Sequence, residues 1–257
     1  KKRWVLVCVC TVFEAVHLEP LFRMDADALL QGPLLEIQGG KVSELPVKPS
    51  VVGEVLSYAV NVCRPLAEVI AERFPQLQPK RILDMGCSAG SASVPYALAF
   101  PDAEVHAIDV GAGMLRYAHA RAEALGAAVH FHQMDVAATS FPDQYFDLIV
   151  SHNVMHEISD ATRRGMFRES RRLLRPGGVC IHQDVPLRFG GLSEFKKFEL
   201  SWDTRHNNEP YWEVYANCDP QPELEAAGFA QDCIHVGSLS AAAGSLPWFV
   251  ACGWIPA

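Results

Sequence analysis

The run Arg81-Ile82-Leu83-Asp84-Met85-Gly86-Cys87-Ser88-Ala89-Gly90 joins a short apolar strand to an acidic residue and two glycines four apart, ahead of a helix-like segment. Nineteen residues after Gly90, a second apolar stretch, Val105-His106-Ala107-Ile108, ends at Asp109. Glycines let the backbone close in on a ligand at the end of the first strand, and a carboxylate ending the second can accept hydrogen bonds from a ribose. The pattern suits a nucleotide-type ligand. These two features alone leave a dinucleotide and S-adenosylmethionine both open.

A second group of chemical side chains lies downstream. Ser151-His152-Asn153-Val154-Met155-His156-Glu157 follows a predicted strand, at the edge where a parallel sheet presents ligands. His156 is the candidate general base, since an imidazole takes a proton from a phenol, hydroxyl or amine near neutral pH. Its competing role is packing, or a hydrogen bond to a loop carbonyl. His152, His156, His182 and Asp184 are expected at neighbouring strand ends, a nitrogen and oxygen mix that suits a divalent ion. Their spacing is loose, however, and no metal is expected. Residues 187–216 are aromatic-rich and read as irregular, with Phe189, Phe195, Phe198, Trp202, Tyr211, Trp212 and Tyr215 offering apolar surface. Arg205 and His206 could meet an acidic or carbonyl group.

The elements that must position these residues follow from periodicity. Strands are expected at 81–85, 104–109, 128–132, 146–151 and 179–184, alternating with helices at 88–100, 112–125 and 160–174. That alternation implies a mostly parallel sheet covered on both faces. Leu174-Arg175-Pro176-Gly177-Gly178 reads as the stop of the last helix. A short helix at 222–229 and strands at 230–236 and 247–254, joined by a small-residue loop, make an antiparallel closing hairpin, because a short connection cannot form a parallel crossover. Before the sheet, residues 4–13 read as an edge or cap strand, 14–50 as a linker or lid, and 51–74 as a helix that Pro65 kinks or divides. The domain reading is an N-terminal strand, linker and helical lid at 1–74, then one α/β domain at 75–257 with an insertion at 187–216.

Composition narrows the partners. The net charge of −8 gives no electrostatic footprint for a phosphate backbone, so no nucleic-acid role is expected. The eight cysteines are scattered, without zinc-finger spacing or a disulfide framework, which points to reduced thiols in the cytoplasm. Lys1-Lys2-Arg3 and the apolar run after it imitate a signal peptide, but the run is far short of the roughly 20 residues that span a bilayer. A chain opening on Lys1 leaves room for a domain of a larger biosynthetic protein without establishing one.

In its order of motifs the chain resembles the class I S-adenosylmethionine-dependent methyltransferases, in particular their small-molecule branch. The blocks are Ile82 to Gly90, Ala107-Ile108-Asp109, Gln133-Met134-Asp135, Phe146 to Ser151, and Leu173 to Gly178. The resemblance covers residues 75–185 and, more loosely, 222–254. It implies a Rossmann-like, mostly parallel seven-stranded sheet with helices on both faces, a closing antiparallel hairpin and a small lid. It also implies S-adenosyl-L-methionine as cofactor, with S-adenosyl-L-homocysteine as product.

By that resemblance Asp84, Gly86, Cys87, Ser88 and Gly90 cup the methionine and ribose, and Asp109 takes the ribose hydroxyls. Asp135 meets the adenine amino group, with Val110, Met114 and Val136 as apolar walls and Ser151 at the end of the fourth strand. The acceptor is expected to meet His152, Asn153, His156, His182, Trp202, Arg205, Tyr211 and Trp212. The implied activity is methyl transfer to oxygen or nitrogen of a small or medium organic molecule in specialised metabolism, with room for a homodimer. The alternative is a catalytically inactive cofactor-binding or partner protein. A nicotinamide dehydrogenase fits worse, because Ser91 stands where its fingerprint needs a third glycine.

Overall fold

A computed structural model describes residues 64–185, 193–206, 210–239 and 248–257. The strand expected at 4–13, the linker at 14–50, the first part of the helix at 51–74, Phe189 and the loop between the last two strands lie outside the described residues. Helix α1 (Arg64–Arg73) leads into β1 (Arg81–Met85), α2 (Ser93–Ala99), β2 (Glu104–Asp109), α3 (Ala112–Ala124) and β3 (Val129–Gln133). Then come β4 (Phe146–His152), α4 (Asp160–Leu173), β5 (Leu174–Asp184), α5 (Glu194–His206), α6 (Trp212–Ala216), α7 (Pro220–Ala226), β6 (Ile234–Leu239) and β7 (Trp248–Trp254).

Among the described residues, seven strands form one sheet in the order β3-β2-β1-β4-β5-β7-β6. β1 to β5 pair in parallel, whereas β7 runs antiparallel to both β5 and β6. The Rossmann-like topology with its closing antiparallel hairpin is therefore as expected. β4 is buried along its whole length, as a central strand covered on both faces must be. On one face Ile82, Val150 and Ile181 meet Leu66 and Ile70 of α1 and Tyr96 of α2. On the other, Leu83, Ile149 and Cys180 meet Phe167 of α4, Trp212 of α6 and Leu224 of α7.

Three segments differ from the sequence expectation. The helix expected at 88–100 occupies only 93–99, because residues 88–92 are taken up by turns after β1. β5 begins at Leu174 rather than Val179. Leu174 pairs with Phe146 and Val179 with Leu148, so Arg175 to Gly178 bulge from the strand instead of ending the helix in a separate turn. Residues 187–216, read as irregular, contain α5 and α6, with Trp212 and Tyr215 in the core. Their helical period is hidden because aromatics occupy both the inner and the outer faces.

Polar groups in the interior set the geometry of this core. The Asp147 carboxylate, at the start of β4, accepts the backbone N–H groups of Lys80 and Arg81 at 2.7 Å each and pairs with Arg175, which fixes the entry of β1. Arg163 of α4 is buried and donates two hydrogen bonds to Glu223 of α7, at 2.9 and 2.8 Å, and pairs with Asp160 at 2.8 Å. The two helices are thereby locked together. His182 of β5 lies between the Ser151 hydroxyl at 2.9 Å and the Ser170 hydroxyl at 3.2 Å. Burial lowers its pKa from 6.5 to about 3, and burial with a contribution from His182 does the same for His152.

Two consequences are measurable. Arg163→Ala leaves the partly buried Glu223 only the more distant Arg164, at 3.5 Å, and should cost about 2–3 kcal/mol of stability in denaturant unfolding. Acid should also unfold the protein through His152 and His182. Each takes up a proton in the unfolded chain near pH 6.5 but in the folded chain only near pH 3. Their stabilisation is complete above 6.5 and is lost as pH falls toward 3, at roughly 1.4 kcal/mol per pH unit for each. Asp84, whose folded pKa of about 7 against an ordinary 3.8 gives the opposite sign, offsets one of the two histidines between pH 3.8 and 6.5. Unfolding followed across this range should show the remaining slope of about 1.4 kcal/mol per pH unit, and His182→Gln, which can still bond the two serines, should bring that slope close to zero.

Candidate active site

The loop after β1 folds back on β2. Gly86 and Cys87 donate their backbone N–H groups to the Ile108 carbonyl at 2.8 and 2.9 Å, and Gly90 donates to the Cys87 carbonyl at 2.8 Å. Gly86 (φ 74°), Ser88 (φ 48°) and Gly90 (φ 71°) occupy the left-handed region, which glycine enters without strain and serine does not. At Gly86 a side chain is also sterically excluded, since a Cβ there would lie 2.6 Å from Val154 Cγ2. The strand-end loops of β1 and β4 thus touch at this point. Cys87 is buried, and burial reinforced by Asp84 and Asp109 drives its thiol pKa up, so it stays a protonated thiol.

Asp109 ends β2 with its carboxylate fixed by two backbone donors, Ser88 N–H on one oxygen at 2.9 Å and Gly111 N–H on the other at 2.7 Å. Each oxygen keeps a further lone pair, so the group can accept from two neighbouring hydroxyls at once. Val110 beside it is 66% exposed, an apolar side chain offered at the sheet edge. Met114 is half-buried and faces the Gly111 backbone, and Val136 is buried. Asp135 is exposed beyond β3, with one carboxylate oxygen accepting from Ala137 N–H at 2.8 Å. Asp84 lies beneath the loop and accepts from the Ser93 hydroxyl at 2.6 Å. Burial, opposed by Ser93 and reinforced by Asp109, raises its pKa from 3.8 to about 7. Ser151 is buried and its hydroxyl is engaged with His182, below the edge.

The ends of β4 and β5 bring together a different set. His156 is fully buried, with Nδ1 at 2.5 Å from Asp184 Oδ1 and Nε2 at 3.3 Å from Glu157 Oε1. Asp184 also accepts the Met155 N–H at 2.6 Å and the Val185 N–H at 2.7 Å, so its orientation is set from both strands. The Trp212 ring packs on His156 at 4.7 Å between centroids, and its indole N–H is buried without a hydrogen-bond partner. His152 points to the opposite face, toward the Tyr96 hydroxyl at 3.1 Å. Asn153 turns the chain at φ 59° and donates its N–H to the Gln183 carbonyl at 2.9 Å.

The structure therefore gathers most of the expected cofactor residues on one edge but separates the expected acceptor residues. His182 is held within the core by two serines and by Phe167, so it presents no surface to an acceptor. Trp202 is 50% exposed on the outer side of α5, with the His206 ring tilted against it at 4.1 Å between centroids, and Arg205 and Tyr211 are exposed as well. Among the described residues no group of His, Cys, Asp or Glu is arranged to hold a metal ion. Sequence reasoning missed the pairing of Ser93 with Asp84, the clamp on His156 by Asp184, and Gln183. Asp184 had been weighed only as a metal ligand, and strand alternation from Cys180 would have placed it on the His182 face.

The donor and acceptor set fits S-adenosylmethionine. Asp109 suits a ribose diol, exposed Val110 an adenine face and Asp135 an exocyclic amine, while glycine-imposed turns admit close backbone contact.

A family described as a methyltransferase domain matches residues 82–178. Trans-aconitate 2-methyltransferase of Methylobacterium radiotolerans is 36% identical over 120 residues, covering 47% of this chain and 43% of that protein. Phosphoethanolamine N-methyltransferase 1 of Arabidopsis thaliana is 32% identical over 105 residues, covering 41% and 21%. The chain thus spans less than half the length of either curated relative. Phosphoethanolamine N-methyltransferase 2 of Haemonchus contortus, solved with S-adenosyl-L-methionine, has the same fold with a TM-score of 0.59 and 17% identity, over 90% of this chain and 60% of that one. In motif order, sheet topology and edge chemistry, and in the matching domain over residues 82–178, the chain is similar to the class I S-adenosylmethionine-dependent methyltransferases.

Proposed function

We propose that the chain methylates an oxygen or nitrogen of a small or medium organic acceptor in biosynthetic, specialised metabolism. The observation that carries this reading is one sheet edge with both a doubly anchored Asp109 carboxylate and a buried His156–Asp184 pair. The named substrates of the relatives, trans-aconitate and phosphoethanolamine, support a small acceptor. Bound S-adenosylmethionine supplies an electrophilic methyl on a good leaving group, so the protein's main tasks are holding and alignment. Asp109 and the loop from Asp84 to Gly90 hold; Val110, Met114, Asp135 and Val136 orient the base.

His156 is the proton acceptor in this reading. Asp184 accepts the Nδ1–H and so leaves Nε2 as the basic nitrogen, and Glu157, beside Nε2, passes the proton outward. Complete burial with both ring nitrogens engaged favours a second reading, in which His156 only clamps the loop after β4 to β5. Trp202, Arg205, His206 and Tyr211 would meet the distal part of the acceptor. A cytoplasmic location fits the thiols of Cys87, Cys180, Cys218, Cys233 and Cys252, which are free and buried. No helix among the described residues is long and apolar enough to cross a membrane.

Asp109→Ala should weaken S-adenosylhomocysteine binding about 10- to 100-fold, the loss expected when hydrogen bonds to a charged group are removed. Titration calorimetry reads this directly, and unchanged affinity would remove Asp109 from the ribose site. His156→Ala and Asp184→Asn should lower kcat about 10²- to 10⁴-fold while S-adenosylhomocysteine affinity stays the same. If affinity and melting temperature fall with kcat instead, His156 is the clamp.

A further inference from the structure

Ser91 stands where a dinucleotide fingerprint needs its third glycine, and its hydroxyl has a partner far along the chain. Arg121 Nη1, 30 residues on in α3, donates to it at 3.1 Å. The same nitrogen donates to the Ala89 carbonyl at 3.4 Å, the longer and weaker of the two bonds.

An arginine is seldom enclosed in a protein without an acid beside it. Arg121 is 7% exposed, its Nε is buried without a hydrogen-bond partner, and among the described residues no carboxylate pairs with it. The guanidinium therefore exchanges water for one hydroxyl and one carbonyl of the loop after β1. Packing alone does not call for it, since Leu115, Ala118 and Ala122 already give α3 a buried apolar seam. What the arginine adds is a bond from the helix to the loop.

That bond lies on a consistent face. Met114, Ala118 and Arg121 are spaced i, i+4 and i+7, one side of a helix. Met114 faces the Gly111 backbone, and a Cβ on Gly90 would lie 3.2 Å from the Ala118 Cβ. Arg121 grips Ala89 and Ser91, the residues on either side of that glycine. Gly90 (φ 71°) and Ser88 (φ 48°) are both left-handed, and a serine holds that backbone only where its surroundings fix it. The Ser88 N–H donates to Asp109 at one end of this stretch, and Arg121 holds the other.

Resting on the methyltransferase reading, we propose that Arg121 is a positioning residue for S-adenosylmethionine. Through Ser91 and the Ala89 carbonyl it keeps residues 88–91 in the conformation that receives the cofactor, and so sets cofactor affinity without touching the cofactor. The helix that carries Met114 and the loop from Asp84 to Gly90 are thereby one unit.

The test is calorimetric titration of the whole chain with S-adenosylhomocysteine, well below the melting temperature of each protein. Wild type, Arg121→Met, Ser91→Ala and the double variant are compared. Arg121→Met should weaken binding about tenfold and Ser91→Ala about threefold. The double variant should bind no more weakly than Arg121→Met, because the hydroxyl holds nothing once the guanidinium is gone. Ser91→Ala keeps the positive charge, so its loss separates the bond to the loop from the field of a nearby cation.

Wild-type affinity in both single variants, with only the melting temperature lowered, makes the bond purely structural and overturns the proposal. Weakened binding in Arg121→Met but not in Ser91→Ala assigns the effect to charge and also overturns it, as do additive losses in the double variant. Should Arg121→Met not fold, Ser91→Ala decides by itself: weakened binding supports the proposal and wild-type affinity overturns it. A wild-type protein that binds no S-adenosylhomocysteine instead refutes the methyltransferase reading, and this inference falls with it.

Discussion

Gly86 is the point at which the two halves of the site are brought into contact. The chain leaving β1 and the chain leaving β4 turn over the same edge of a parallel sheet, and adjacent parallel strands put those turns side by side. A Cβ on residue 86 would meet Val154 Cγ2 at 2.6 Å, so only a residue without one allows the loops to close to this distance. The left-handed backbone at the same residue imposes the same choice independently. With the loops in contact, the glycine turns and Asp109 on one side and His156 and Asp184 on the other share one edge. Moving them apart would leave either half without the other's chemistry.

The charged groups of the site are oriented by backbone donors as well as by one another. Asp109 is held by Ser88 and Gly111, and Asp184 by Met155 and Val185. Each carboxylate thereby has a fixed direction before any ligand arrives, which is what makes a polar group effective in positioning and electrostatic stabilisation. Asp84 shows the opposite environment. A single Ser93 hydroxyl does not offset its burial, and its pKa lies near neutrality. The three acids at the strand ends therefore differ in environment, although all are aspartates.

Histidines divide by partner in a similar way. His182 and His152 sit below the edge, where desolvation keeps them neutral and hydroxyl partners set their orientation. His156 sits at the turn after β4 and has carboxylates at both nitrogens. The same residue type thus serves as core polar spacer on the strands and as a candidate proton carrier one turn later. That difference arises from a few residues of displacement along the chain.

Much of this was legible in the amino-acid order. Glycines at 86 and 90, acids at 84, 109 and 135, and apolar strands alternating with helices dictated the sheet, its direction and the cofactor edge, because these depend on local backbone freedom and on periodicity that a chain displays residue by residue. The bulge at Arg175 to Gly178 and the helices of 194–216 were not legible. A proline-glycine run stops a helix and distorts a strand equally well, and aromatics on two helix faces erase the apolar period. Tertiary structure alone decided the partners. Asp184 meets His156, His182 meets two serines, Trp212 turns inward while Trp202 turns outward, and Gln183 is enclosed without a hydrogen bond. Such outcomes depend on which side chains packing brings together from distant parts of the chain, and on the water that packing removes.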